Sequence, residues 1–237
     1  TNIGNFSIAM GHNTKASGTN SVALGGSANT ASSSNATITG GYNNQATVGY
    51  STVGGGANNT ASGLYSAIGG GNENKTLASY STIIGGSNNT TSGSSSFVGG
   101  GAYNTASGVI STVAGGYNNT ASGDYSIIEG GDNNTVSGGY SWVGGKNMNL
   151  SGKGSFLFGY SDTAISPVSH EYAAIFYGNE GKSTNNTLYV YGNAFKSDGS
   201  TAWSTSSDAR LKEVFGEFKK GLKEILKLKV VNYKYRK

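Results

Sequence analysis

The fifteen residues STVGGGANNTASGLY, Ser51 to Tyr65, are written again and again along this chain. Blocks of the same length begin at Ser21, Ala36, Ser51, Ser66, Ser81, Ser96, Ser111 and Ser126. Looser copies flank them: Ser7 to Asn20 upstream, then Ser141 to Gly154 and Ser155 to about Ser166 downstream. A fixed period of this size marks a repeat architecture, in which each unit stacks only on its neighbours.

Counting each block from its serine, position 3 is a small or branched apolar residue: Ala9, Ala23, Ile38, Val53, Ile68, Ile83, Val98, Val113, Ile128, Val143 and Leu157. Position 5 reads as glycine throughout, in Gly11, Gly25, Gly40, Gly55, Gly70, Gly85, Gly100, Gly115, Gly130, Gly145 and Gly159. Position 9 reads as asparagine from Asn29 through Asn44, Asn59, Asn74, Asn89, Asn104, Asn119 and Asn134 to Asn149. Position 11 is usually alanine. An apolar residue between Ser and Gly at alternate places predicts a strand of three to five residues with one face inward. Gly-Gly followed by Asn supplies the corners that ordinary residues resist.

Two strands and two turns per block then make one coil of a narrow parallel β-solenoid. The core is Ile38, Val53, Ile68, Ile83, Val98, Val113, Ile128 and Val143, and the glycines Gly40 to Gly145 turn the backbone. At roughly 4.8 Å per coil, eleven coils give a rod of about 50 Å, with the asparagines laddered along it. A flexible Gly/Ser linker would not keep an aliphatic residue in phase from block to block.

So thin a coil buries little apolar area alone. Positions 2, 4 and 15 point outward and carry Tyr65, Tyr80, Phe97, Tyr125, Ile127, Tyr140 and Trp142, with Tyr50, Ile84 and Ile110. Such a row is a binding stripe or an oligomer seam, and symmetric self-association is the simplest way to cover it.

The opening, FSIAMGHNTKASGTNSVALGGSANTAS (Phe6 to Ser32), resembles the head repeat of trimeric autotransporter adhesins, the YadA-like left-handed β-roll. The later GG-x-N-N-T-A-S-G blocks resemble an expanded form found in bacterial surface and tail-fibre-like proteins. The resemblance implies an all-β chain whose left-handed parallel β-rolls, of about fifteen residues per coil, assemble as a parallel homotrimer. It further implies attachment to a host or matrix protein, a glycan, or another cell-surface receptor.

Composition agrees with a fibre. Of 237 residues forty are glycine, one is proline and none is cysteine, which removes disulfides and thiolate metal sites. No stretch approaches a membrane span, so membrane insertion by this sequence is not expected. The chain opens inside a repeat without a basic-apolar leader, which leads to the expectation of a piece of a longer, extracellular or virion-borne protein. Residues 1–203 hold six lysines against eight carboxylates, whereas 204–237 hold ten Lys/Arg against four. The basic balance therefore belongs to the tail, and a rod without a basic stripe is a poor nucleic-acid binder.

Three parts follow: a repeat head over 1–159, a β-rich neck over 160–203 and a tail over 204–237. In the neck, EYAAIFYGNEG, Glu171 to Gly181, reads as a strand ending in a turn, and Thr187 to Gly199 alternates like a strand and ends in Ser197-Asp198-Gly199, a hairpin-type turn. In the tail, Ser207-Asp208 caps a stretch in which Leu211, Val214, Phe215, Phe218, Leu222, Ile225 and Leu226 recur at helical spacing. SDARLKEVF…GLKEILKLKVVNYKY is similar to the start of the endosialidase-type intramolecular chaperone domain of phage tail spikes. That likeness implies Ser207 as the nucleophile of a self-cleavage, Lys212 as its base, and Asp208 and Arg210 as motif neighbours.

Other chemistry is sparse, and the chain reads as a non-enzyme outside that possible Ser–Lys autoproteolysis. His12 and His170 are lone. Asp124, Glu129 and Asp132 read as solvated loop charges rather than a glycosidase pair. No phosphate-cradling loop, metal set or cofactor motif occurs. Threonines at position 2 (Thr37, Thr52, Thr82, Thr112) hint at a flat ice-binding face, but Ala67, Phe97, Ile127 and Trp142 interrupt it.

Overall fold

The computed structural model describes residues 3–178. The chain divides into two compact units, Thr1–Thr187 and Leu188–Lys237, and the described residues belong to the first. All regular structure there is β-strand, with no helix among the described residues.

Among the described residues, the eleven odd-numbered strands, joined at the end by the twenty-second, Ala174–Tyr177, stack into a parallel sheet of twelve, and the other even-numbered strands into one of ten. Thr52–Val53 and Thr60–Ala61 show the pattern of one coil: a two-residue strand in each sheet, the first residue half-buried and the second buried. Registers advance by a whole block. Val53 pairs with Ile38 and Ile68, and Ala61 with Ala46 and Thr76.

The strands are shorter than the expected three to five residues, because corners take up the rest of the coil. A third ladder, which the periodicity did not reveal, runs through position 7 as His12, Ser27, Tyr42, Ala57, Asn72, Ser87, Ala102, Tyr117 and Asp132. Each coil therefore has three paired walls rather than two.

Two left-handed residues per coil close the corners. In the Ser51–Tyr65 coil they are Asn58 (φ 56°) and Tyr65 (φ 57°). These are also the residues whose N–H turns back to the preceding coil, Asn58 to the Tyr42 carbonyl and Tyr65 to that of Gly49. The strand N–H groups point forward, Thr52 to Ser66 and Thr60 to Asn74. The left-handed backbone thus reverses the donor direction and ties each coil on both sides.

One residue after position 5, a left-handed φ and a close backbone contact constrain the glycine together. Gly56 has φ 82°, and an added Cβ would sit 2.1 Å from the Gly71 carbonyl oxygen, whereas a Cβ at Gly55 would meet nothing within 4 Å. Position 6 needs glycine because successive coils touch there through bare backbone.

The interior holds the expected column: Ile38, Val53, Ile68, Ile83, Val98, Val113, Ile128 and Val143 are buried to within 1%. They face the smaller column Ala31, Ala46, Ala61, Ala106 and Ala121, which is buried completely. Large against small keeps the coil thin. Several of the buried block serines bond the carbonyl three residues back, as Ser81 Oγ does to Ala78 at 2.7 Å and Ser126 Oγ to Gly123 at 2.6 Å, whereas Ser66 Oγ accepts from the Gly63 N–H at 3.2 Å and Ser111 Oγ has no hydrogen-bond partner.

The asparagines form a ladder, but not mainly of amide on amide. Asn89 Nδ2 donates to the carbonyls of Gly85 (3.1 Å) and Gly101 (2.9 Å), and its Oδ1 accepts from the Asn104 backbone N–H at 2.9 Å. Every polar atom of the buried amide is used.

The ladder ends one coil earlier than the sequence count placed it. The block Ser141–Gly154 is one residue short, and a bulge after Ile128 sets Gly145 against Gly131 and Lys146 against Asp132. Met148, fully buried, therefore occupies position 9 and brings no amide to continue the ladder; its N–H donates to Asn134 Oδ1 at 2.9 Å and its carbonyl accepts from the Thr135 N–H at 2.7 Å. Asn149 lies one place on, paired with Thr135.

The sheet continues past Gly159. Phe156 pairs with Ala174, an offset of eighteen, and Leu150 bridges Val168. One longer coil, carrying Pro167, follows the repeats, and Ile165, Val168, Ile175 and Tyr177 pack over the end of the core.

Candidate functional site: the outward rows of the coil

With the inside committed to stacking, the side chains free for chemistry among the described residues are those of the outward rows. The first row, position 2, stands on the twelve-stranded sheet. Registers place Thr112 beside Ile127, Ile127 beside Trp142, and Trp142 beside Phe156. The Trp142 and Phe156 rings stack at 4.3 Å and 3°, Phe158 lies 6.2 Å from Trp142, and Phe176 lies 5.6 Å from Phe156. Glycine at position 4 makes room for these rings. A Cβ at Gly144 would lie 3.1 Å from both Trp142 and Phe158, and one at Gly99 would lie 3.4 Å from Phe97. The result is an apolar surface lying flat on the sheet toward its C-terminal end, with Ile127, Phe158 and Phe176 exposed. Phe156, Phe158 and Phe176 were not among the candidate residues; S-F-L-F-G at Ser155–Gly159 carries the block's own position pattern and was the available signal.

The second row, position 15, occupies the corner before that sheet. Tyr50 and Tyr65 stack at 4.6 Å, Tyr65 and Tyr80 at 5.3 Å, and Tyr125 and Tyr140 at 4.8 Å. The seam candidates therefore separate into two groups: Phe97, Ile127 and Trp142 on the sheet, and Tyr65, Tyr80, Tyr125 and Tyr140 at the corner.

Charges are few and scattered. Lys146 pairs with Asp132 at 3.7 Å and lies 5.8 Å over the Tyr160 ring; Lys153 lies 5.7 Å over Tyr140. Asp124 Oδ1 accepts from the Val109 N–H at 2.9 Å, while Glu129 borders an open hollow of about 330 Å³ with Gly144 and Phe158. These acids stand at different places round the coil and form no carboxylate pair. Among the described residues no group of three or more His, Cys, Asp or Glu side chains gathers as metal ligands. His12 Nδ1 lies 3.3 Å from Ser27 Oγ, and the His170 carbonyl accepts from Ser155 Oγ at 2.7 Å. Tyr160 donates to Asp162 at 2.6 Å; that bond and the carboxylate charge hold its phenol above the usual range. Ser207, Asp208, Arg210 and Lys212 lie outside the described residues.

Residues 3–28 and 110–127 match the family model of the YadA head domain repeat, in two copies. The first match spans the opening coils and the second runs from a corner residue, Ile110, to Ile127 on the sheet. No curated protein matches the chain.

Proposed function

We propose that this chain is the head of a surface-exposed, adhesin-type fibre, assembled as a parallel homotrimer and attaching through many weak contacts. The observation that carries this reading is the YadA head-repeat match at two separate coils of one uninterrupted solenoid. Its likeness to such heads makes self-association plausible. The sheet-borne row of Phe97, Ile127, Trp142 and Phe156 is the surface to cover, because an aromatic strip on a parallel sheet is costly in water. A threefold arrangement covers three such strips at once and multiplies whatever each rod binds. The bound partner is a host or matrix protein, a glycan or another cell surface, placing the chain outside the cell.

Light scattering tests the assembly: the reading expects three times the 24.1 kDa chain, and a mass of one chain at micromolar concentration overturns it. Attachment is tested with beads coated with the protein against cells, matrix proteins and glycans; beads carrying a non-associating variant should detach at much lower force.

The motif Ser207-Asp208-Ala209-Arg210-Leu211-Lys212 favours a second reading, a phage-type fibre whose C-terminal chaperone cleaves itself at Ser207. Mass spectrometry of the full chain would then show a fragment ending near Ser206 that Ser207→Ala and Lys212→Ala abolish. An intact mass in all three proteins counts against it.

A further inference from the structure

The stacked tyrosines ask for more than packing. At position 15 the backbone is left-handed in every coil, a conformation that suits the Asn20 and Asn35 of the early coils and resists bulky side chains. From Tyr50 onward the chain nevertheless places tyrosine there five times, at φ 57–59°. Each ring is open to solvent, from 44% at Tyr125 to 61% at Tyr140, so these side chains are not core. Strain kept at an exposed aromatic row points to a role for the row.

We propose that the Tyr50–Tyr65–Tyr80 stack and the Tyr125–Tyr140 stack are oxidative modification sites, at which neighbouring phenols couple into dityrosine and lock coil to coil. Ring centroids 4.6 to 5.3 Å apart, with planes within 17° of parallel, hold two phenols face to face, so a short slide of one ring over the other brings their ortho carbons together. The oxidant is hydrogen peroxide acting through a peroxidase. Each phenol surrenders its O–H hydrogen, and the two phenoxyl radicals join through ring carbons ortho to oxygen. The hydrogens on those carbons then move to the oxygens and restore both phenols. The pair loses two hydrogens in all, and one peroxide becomes two waters. Each link closes fifteen residues of chain, the spacing of Tyr50 from Tyr65, so a pulled or partly melted rod cannot unpeel at that rung. The inference holds for a single chain and does not depend on how the fibre assembles or what it binds.

The test is peroxidase and hydrogen peroxide on the intact protein, followed by peptide mapping and dityrosine fluorescence. Cross-linked peptides joining Tyr65 to Tyr50 or Tyr80, and Tyr125 to Tyr140, each two hydrogens light, are expected. Tyr65→Phe, which keeps the ring and the stack, should remove every link in the first group and leave Tyr125–Tyr140 intact, since Tyr50 and Tyr80 stand roughly 10 Å apart. Ser95→Tyr, at another left-handed corner residue (φ 57°), should add a link to Tyr80. Coupling that falls equally on Tyr42, Tyr160 and Tyr172, that joins separate chains instead, or that is absent at matched oxidant doses, overturns the proposal.

Discussion

Asn88 and Asn89 are chemically identical neighbours, and the fold predicts opposite consequences for replacing them by alanine. Asn89 is fully buried. Without its amide, the Asn104 N–H, itself buried, loses the Oδ1 it donates to at 2.9 Å, and the Gly85 carbonyl loses the Nδ2 at 3.1 Å. The Gly101 carbonyl fares better, since it still accepts from the Ser87 N–H at 2.9 Å. One stranded buried N–H costs about 1–3 kcal/mol, and the void left by the amide adds to it, so Asn89→Ala should lose about 2–4 kcal/mol. Asn88 is half-buried at the left-handed corner (φ 56°), where Ala28 already stands in another coil at φ 58°. Asn88→Ala should therefore lose about 1 kcal/mol or less. Urea unfolding followed by circular dichroism separates the two. With a slope of about 2–3 kcal/mol per molar, the Asn89 variant's midpoint falls by about 1 M or more and the Asn88 variant's by a few tenths. Amide exchange at Asn104 should accelerate only in the Asn89 variant. Equal midpoints, or an unchanged Asn104, would refute the account of the ladder.

Three further outcomes follow from single positions. Gly86→Ala, at φ 89° with its new Cβ 2.1 Å from the Gly101 oxygen, should lose upward of about 4 kcal/mol, while Gly85→Ala, with nothing within 4 Å, should cost much less; thermal unfolding ranks them. Trp142→Lys, on the apolar strip, should leave the strand content of circular dichroism intact and shift the light-scattering mass toward one chain. Asp162→Asn should bring Tyr160 back toward the ordinary phenol range in an absorbance titration. The sign is that of a raised pKa: the Tyr160–Asp162 bond is present below that range and vanishes as pH climbs through the raised value.

The solenoid was legible because its inside is strictly phased. Ile83, Ala106 and Asn89 recur where the coil admits few alternatives (Thr76, Thr91 and Val136 in the alanine column, Met148 under the last asparagine), and a fixed period survives in plain sequence. Position 7 escaped notice for the converse reason: His12, Tyr42, Ala57 and Asp132 share no chemistry, since only their backbones pair. Counting also failed where the block length changed. The short Ser141–Gly154 block moves Met148 under the last asparagine; EYAAIFY reads as a strand and Ala174–Tyr177 is one, but the long coil before it hides that it continues the twelve-stranded sheet. The corner tyrosines were read as outward, but no propensity scale flags Tyr65 as left-handed; its conformation is dictated by the N–H it must return to Gly49.

That division of labour bears on where specificity can reside. Stacking is carried by backbone pairs, by the Asn amides and by one branched side chain per coil, and all of these face inward or along the axis. Positions 2, 4, 14 and 15 are thereby released from folding duty. They vary from Thr52 to Trp142 and from Asn20 to Tyr140 while the strand pairing continues, and the register shift after Ile128 follows from a shortened block rather than from these side chains. A surface that changes residue by residue over an invariant interior can be graded along its length, smooth and hydroxylated near Thr37 and Thr52, aromatic from Trp142 to Phe176. Copying only the Trp142–Phe156 pair, as Thr37→Trp and Thr52→Phe, and keeping Gly54, where a Cβ would meet the Gly69 oxygen at 2.3 Å, should then move the contact surface along the rod without altering its stability by more than about 1 kcal/mol, as expected for sites outside the core.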